Sequence, residues 1–436
     1  MRSYQSTYDL FAVEANTKEA AYNTLTAFDT GMLVDRAQMV KPDRRSETNE
    51  DEAIGKEEPD SIYNLGGVVS VEFGFSKAQA QHAAFLLAFA LGVDTPSAPW
   101  GTGWKHVITP IDGDLDEARS NPSFTFGNRY GKRLLTERWG GGVVDQVVVG
   151  FKKDSWLNVT GSIKGSGKRE SNFTRETIAG FYDDATLTLA GTTKVDGGAG
   201  AGNAQNRLDN VHHIEYQVAG TLEWVTVVYS AVSDAGPAII TITPPGGAHT
   251  ATFFRVYYNI DTLAGTYTWA GFPARISEPP LRCTDLVVKV GGKWTGAAFV
   301  GGKTISADIN SFTWTLNNDI TPEFVPGGTG TYANCAIRQG RSQKIDFDRK
   351  FKDYLLGYLA DQQEMFGVYA KATGPEFEAG KNYYVEMVFP KVGILTQGVA
   401  EDGKRIGETS QFSIFQDNVY GSVRVEIANK VSAYAA

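Results

Sequence analysis

Cysteine is scarce in this chain: Cys283 and Cys335 are the only two in 436 residues. Two such residues, without metal-ligand spacing, make neither a disulfide framework nor a zinc site, so both read as reduced thiols. Histidine is scarce too, at five copies. His82, His106 and His249 stand apart from any serine or cysteine elbow, and neither G-x-S-x-G nor H-E-x-x-H occurs. The apolar run of ~20 residues that a bilayer span needs is absent, as is a cationic start leading into an apolar leader. The expectation is a protein made and folded in a cytoplasm, with no membrane insertion of its own. Positive charge is in deficit, with 41 Lys and Arg against 50 Asp and Glu and a net charge of −9. That excludes a general nucleic-acid binder, which needs basic surface to neutralise phosphates, but not a protein that handles DNA without holding it.

The stretches that approach a chemical motif fall short of one. "GSIKGSGKRE", Gly161 to Glu170, has Ser162 where a phosphate loop needs its first glycine, and Arg169 where it needs a magnesium-binding hydroxyl. It reads as a glycine-rich hairpin turn. In "VHHIE" the strand period puts His213 and Glu215 on one face and His212 on the other, with no third ligand nearby. The N-x-T sequons at Asn158 and Asn172 carry no meaning without secretion. Carboxylates are plentiful, yet nothing singles out a catalytic pair. No catalytic, cofactor-binding or metal-ligating residue is assigned, and these absences together point to a structural role.

What is abundant is strand pattern. Forty-eight glycines accompany a steady supply of Val, Thr, Tyr and Phe. Candidate strands are "VVSVEFGF", "DQVVVGF", "WLNVTGSI", "ATLTLAG", "HIEYQVAG", "WVTVVYSAV", "AIITITP", "FFRVYYN", "DLVVKVGG", "SFTWTLNN", "SQKIDFDRKF", "YYVEMVFP" and "SVRVEIANK". Most alternate between apolar and polar residues, which makes this an all-β chain. One helix stands out in "FSKAQAQHAAFLLAFALG", with Ser76 and Gln79 as a capping box, Phe75 as a hydrophobic staple and Gly92 as the stop. It is apolar almost all round, which predicts burial on more than one side. A second helical pattern is "FKDYLLGYLADQ".

Three features divide the chain. "KPDRRSETNEDEAIGKEEPD", the acidic block at 41–60, reads as a solvated loop. "KVDGGAGAGNAQN", Lys194 to Asn206, reads as a flexible connection, and "ISEPP", Ile276 to Pro280, as a return linker. Between the last two lies a set of strands sized for a small immunoglobulin-like or fibronectin-like sandwich. The expected division is 1–190, an inserted module with its linkers at 191–280, and 281–436. The flanking parts look like distant copies: "PSFTFGNRYG" from Pro122 is echoed by "NSFTWTLNND" from Asn310, each followed by a charged alternating strand.

In order and spacing, several of these stretches resemble the major tail tube proteins of long-tailed bacteriophages, in their larger duplicated form. The resemblance rests on "GGVVSVEFGFSKAQAQHAAFLLAFALG", on "PSFTFGNRYG" before "GGGVVDQVVVGFKKDSWLNVTGSIKG", and on the series "SFTWTLNNDI", "IRQGRSQKIDFDRKFKDYLL", "YYVEMVFPKVGI" and "YGSVRVEIANK". It implies β-sandwich tube domains with a flanking helix, whose strands join those of neighbours in one closed barrel. It further implies a trimeric ring, a hexamer being the alternative. The rings stack into the virion's tail, assemble in the host cytoplasm and conduct double-stranded DNA during ejection. Implied partners are tape-measure, tail terminator and distal tail proteins, with no cofactor. The inserted module would decorate the outside.

On that reading the polar sides of the alternating strands supply the lumen wall, with Glu72, Asp346, Asp348 and Glu426 as lumen-facing candidates. Polar and acidic side chains there would repel the duplex, although each charge fits bulk solvent equally well. Phe85, Leu86 and Phe89 on the helix are the candidates for a subunit or domain interface. The acidic block is either a plain mobile loop or a dock onto the next ring. Rival readings are a decoration or adhesin protein whose sandwich binds cell-surface glycan, and a hydrolase with an unrecognised carboxylate pair.

Overall fold

In "SQKIDFDRK" the apolar Ile345 and Phe347 point one way and Lys344, Asp346 and Asp348 the other, so a sheet built from such strands buries one face and wets the other. The computed structural model, which describes residues 9–35, 40–52, 57–96, 99–111, 121–131, 135–247, 249–261, 271–402 and 405–435, is all-β with few helices. Among the described residues these helices are α1 (Ala80–Leu91), α2 (Ala204–Asp209) and α3 (Leu355–Asp361).

Eight strands build one wide antiparallel sheet: β1 (Lys41–Thr48), β2 (Ile62–Phe75), β3 (Leu135–Lys152), β4 (Leu157–Gly165), β5 (Ile309–Asn317), β6 (Ser342–Lys350), β7 (Lys381–Asp402) and β8 (Arg405–Ile414). Their spatial order is β1–β2–β4–β3–β5–β6–β8–β7. One four-strand pattern is thus used twice. In each half the first, second, fourth and third strands lie side by side, and a helix, α1 or α3, follows the second. The halves meet where β3 pairs with β5, from Lys152 opposite Ser311 to Gln146 opposite Asn317.

This repeat is not the one suggested by sequence echoes. "PSFTFGNRYG" contains the strand Phe124–Tyr130, which pairs with Leu10–Val13 and the first part of β3, outside the wide sheet. "NSFTWTLNND" contains β5, which lies within it. The likeness reflects shared local alternation, which is blind to the strand's neighbours. The acidic block is also more ordered than expected. Its first part is β1, paired with β2, and Asn49 closes the far end by hydrogen bonds to Asp60 and Ser61. Residues 53–56 of the block lie outside the described residues.

Strands β3 and β7 occupy the same place in their halves, and both are long enough to serve two sheets. Beyond Val392, β7 pairs with β8; before it, β7 pairs with Phe366–Glu378 and Arg424–Asn429. This first half belongs to a second antiparallel layer that also includes Gly92–Pro96, Trp104–Pro110 and Leu286–Trp294. Between the layers lies the main core, with Phe73, Val149, Trp314 and Phe347 from the wide sheet and Val368, Met387 and Ile427 from the second.

Helix α1 fills the space between the layers, packed on β3 and β4 below and on Trp104–Pro110 and Arg424–Asn429 above. All 12 of its residues are buried. The cap is Gln79 rather than Ser76: the Gln79 N–H donates to His82 Nδ1 at 3.3 Å, while the Ser76 hydroxyl donates to Asp35 at 2.7 Å. Gly92 ends the helix at a φ of 97°, a left-handed conformation that favours glycine. Phe85, Leu86 and Phe89 are 1%, 0% and 0% exposed. The side expected to face an adjoining subunit or domain is therefore covered within this chain, by Trp104–Pro110 and by the distant Arg424–Asn429, and Phe85 and Phe89 both pack on Phe124.

The inserted module is a separate two-sheet sandwich. One sheet orders Phe173–Phe181, Ala251–Asn259, Val211–Gln217 and Trp224–Thr226; the other, Thr186–Thr188, Ile239–Ile242 and Tyr229–Val232. Its own core gathers Leu187, Ile214, Ile240, Phe254 and Val256. Strands at Phe173 and Thr186 belong to it, so it starts earlier than the 191 read from the sequence. The expected flexible connection is an integral part of it: α2 lies there, and buried Arg207 donates to the Gly198 carbonyl at 2.6 Å.

Candidate functional site: a polar sheet face with two open edges

Inward side chains of the wide sheet are apolar apart from a few such as the paired Arg349 and Glu408, and the outward ones form a continuous polar face. Register places Glu72, Ser162, Gln146, Asn317 and Ser342 in one row across β2, β4, β3, β5 and β6. A parallel row runs through Gly150, Thr313, Asp346, Gln411 and Thr396, and another through Lys152, Ser311, Asp348 and Thr409. Ser, Thr, Asn, Gln and Gly predominate, because a solvated strand face keeps hydroxyls and amides without desolvation cost.

Three of the four expected carboxylates, Glu72, Asp346 and Asp348, share this face. Its electrostatics differ from expectation. Lys41 stands 3.8 Å from Glu72, Lys344 2.9 Å from Asp346 and Lys164 3.2 Å from Asp145. The face is charge-balanced rather than acidic. Glu426 is elsewhere, on Arg424–Asn429 in the second layer. It is half-buried, accepting from Arg424 at 2.7 Å and from the Tyr384 hydroxyl. Burial works against its charge, but Tyr384 and Arg424 outweigh that and hold its carboxyl below the usual range. Alternation alone could not separate it from Asp346, because both strands show the same period.

The sheet ends in two open edges. At one end β1 has no strand partner on its outer side among the described residues, and all eight of its side chains are exposed. At the other, β7 beyond Val392 is paired only with β8 among the described residues. Exposed apolar residues gather at both ends: Ile62, Tyr63 and Leu65 on β2, and Leu395, Val399 and Ile406 on β7 and β8. The β7 end, with Leu395, Val399 and Ile406 exposed, is an apolar edge of the kind that is a liability unless something pairs with it, whereas β1, KPDRRSET, carries the charges and the proline that guard an edge against unspecific pairing. Helix α3 is the less covered counterpart of α1, with Tyr354, Tyr358 and Met365 more than half exposed beside it.

Burial pulls the His82 imidazole down to about 3, so it is neutral across the physiological range. Burial raises both cysteine thiols, Cys283 and Cys335, away from the reactive thiolate. The "GSIKGSGKRE" segment is β4, a turn and the strand Arg169–Ser171, with no helix to cradle a phosphate. His213 lies 3.5 Å from Glu215, while His212 packs near Phe173 on a different side. No group of three or more metal-ligating side chains occurs among the described residues. Compared with known families and curated proteins, the chain matches no family model and no curated sequence.

Proposed function

We propose that this chain is a virion structural protein that polymerises through the open edges of its wide sheet into rings, which stack into a tail tube conducting phage DNA. The observation that carries this reading is the doubled strand order. Each half runs first, second, fourth, third strand, and within one chain the third strand of the first half pairs with the first strand of the second half, β3 with β5. The same joint repeated between copies brings β7 of one chain to β1 of the next. Both open edges are then paired, and the apolar β7 edge is no longer exposed.

Size supports a multi-chain barrel. Eight strands closed on themselves leave an interior that side chains fill. Three chains supply about 24 strands, and at about 4.8 Å spacing and about 40° tilt the backbone circle is roughly 48 Å across. After subtraction of a side-chain lining, that passes a DNA duplex. The charge-balanced face suits the task, since a wall that neutralises few phosphates releases few counterions and so gains little affinity for the moving duplex.

Electron microscopy of concentrated purified protein tests the reading. The expected result is hollow tubes with threefold rings of whole chains. Sixfold rings of whole chains would overturn the trimer, and monomers persisting at every concentration and salt condition would overturn the assembly itself.

A further inference from the structure

The inserted module carries a surface that the tube reading leaves without a task. On the outward face of its four-stranded sheet, alternation puts Phe181, Phe253, Arg255, Tyr257, Glu215 and Trp224 on one side. A groove of about 390 Å³ opens at one end of this face, lined by Phe181, Phe253, the small residues Ala179, Gly180 and Ala251, and the turn from Gln217 to Thr221. Phe253 is 50% exposed and Phe181 37%, so both rings present apolar surface at the groove. The groove's size falls in the roughly 300–1,000 Å³ range of small-ligand sites rather than that of a protein dock.

The polar groups beside the rings are held in place. Arg255 stacks on Trp224 at 3.6 Å and reaches Glu215 at 3.4 Å, and the Tyr257 hydroxyl donates to Glu215 at 2.9 Å. At the other end His249 stacks on Phe181 at 3.7 Å and lies 2.8 Å from Asp183. Arg255 is matched by Glu215 and His249 by Asp183, Arg175 opposite Tyr257 adds an exposed cation farther along the face, and the groove itself is lined by no charged side chain. The half-exposed Phe253 ring suits the apolar C–H side of a pyranose ring, and the fixed donors and acceptors beside it suit its hydroxyls. We propose that this groove binds a neutral oligosaccharide. The site uses the module's own residues and holds or fails independently of ring assembly.

The full chain is titrated by calorimetry with neutral trimers of glucose, galactose and N-acetylglucosamine, and with sialylated and phosphorylated counterparts. Saturable binding of at least one neutral trimer is expected. Phe253→Ala should weaken it about two- to tenfold, the contribution of one stacked ring, and Thr221→Lys, which crowds the groove without touching the core, should abolish it. Val228→Ala, an exposed change away from the groove, should leave it intact. No saturable binding, binding confined to the anionic sugars, binding indifferent to both groove variants, or self-association through the groove that Phe253→Ala removes would each overturn the proposal.

Discussion

Glu278 carries the clearest consequence of a single buried group. It sits in the "ISEPP" stretch read as a linker, yet it is 4% exposed. One carboxylate oxygen accepts from the Lys430 N–H at 2.9 Å, and the other has no hydrogen-bond partner among the described residues. Burial pushes its carboxyl up to about 7, against the pull of the Lys430 backbone and charge and of His106. The folded value lies above the unfolded one, so the stability this group allows is fully present below pH ~4.5 and is lost as pH rises toward 7. The shift corresponds to about 3 kcal/mol. Glu278→Gln, which keeps the acceptor and cannot ionise, should therefore be indistinguishable from the parent at pH 4 and more stable by ~1–3 kcal/mol at pH 8. Urea denaturation at the two pH values checks this, and an equal difference at both would refute the titration. Nothing local marks Glu278 as buried: a carboxylate between Ser277 and Pro279 looks solvated, and only its packing between α1 and the C-terminal segment makes it otherwise.

At the level of elements, α1 and the β7 edge make opposite predictions. Phe89 is fully buried between two layers, so Phe89→Asp places an unpaired charge in the core and should cost at least ~4 kcal/mol, enough to remove most of the cooperative unfolding transition. Leu395, on the open part of β7, is 61% exposed. Leu395→Lys should change the stability of the isolated chain by no more than ~0.5 kcal/mol while abolishing the tubes expected by electron microscopy, because it removes an apolar contact from the edge and brings a further cation toward Lys41, Arg44 and Arg45 of the incoming β1. Normal tubes from Leu395→Lys would remove β7 as a joint. The existence of α1 and its burial on more than one side were legible from an apolar run ending at Gly92. What covers its second side was not, since Arg424–Asn429 lies over 300 residues away in sequence. The β6–β8 pair is a similar case. Arg349 and Glu408, 2.6 Å apart, are both fully buried; the strand period puts Arg349 on the inward face with Ile345 and Phe347, but only the register of β6 with β8 sets Glu408 beside it.

For the molecule as a whole, the sandwich is an appendage with its own core, and its ends meet where Phe173 pairs with Asn259. Replacing residues 173–260 by a short Gly-Ser link should leave the wide sheet folded and tube formation unchanged, because neither open edge involves the module. Loss of tubes in that variant, with the remaining domain still folded by circular dichroism, would place the module in the assembly itself. The amino-acid sequence by itself determined the all-β class, the face each strand buries and the presence of a compact insertion, because side-chain alternation and turn residues are local properties. It carried the right faces at Val71 and Phe73, and at Ile345 and Phe347, without revealing which strands adjoin. Only the tertiary structure decided the doubled order of the eight strands, the division of β7 between two layers, the removal of Glu426 from the polar face and the pairing that neutralises that face. Those depend on strand neighbours and register set by contacts between distant residues, and a period of two along one strand contains no record of them.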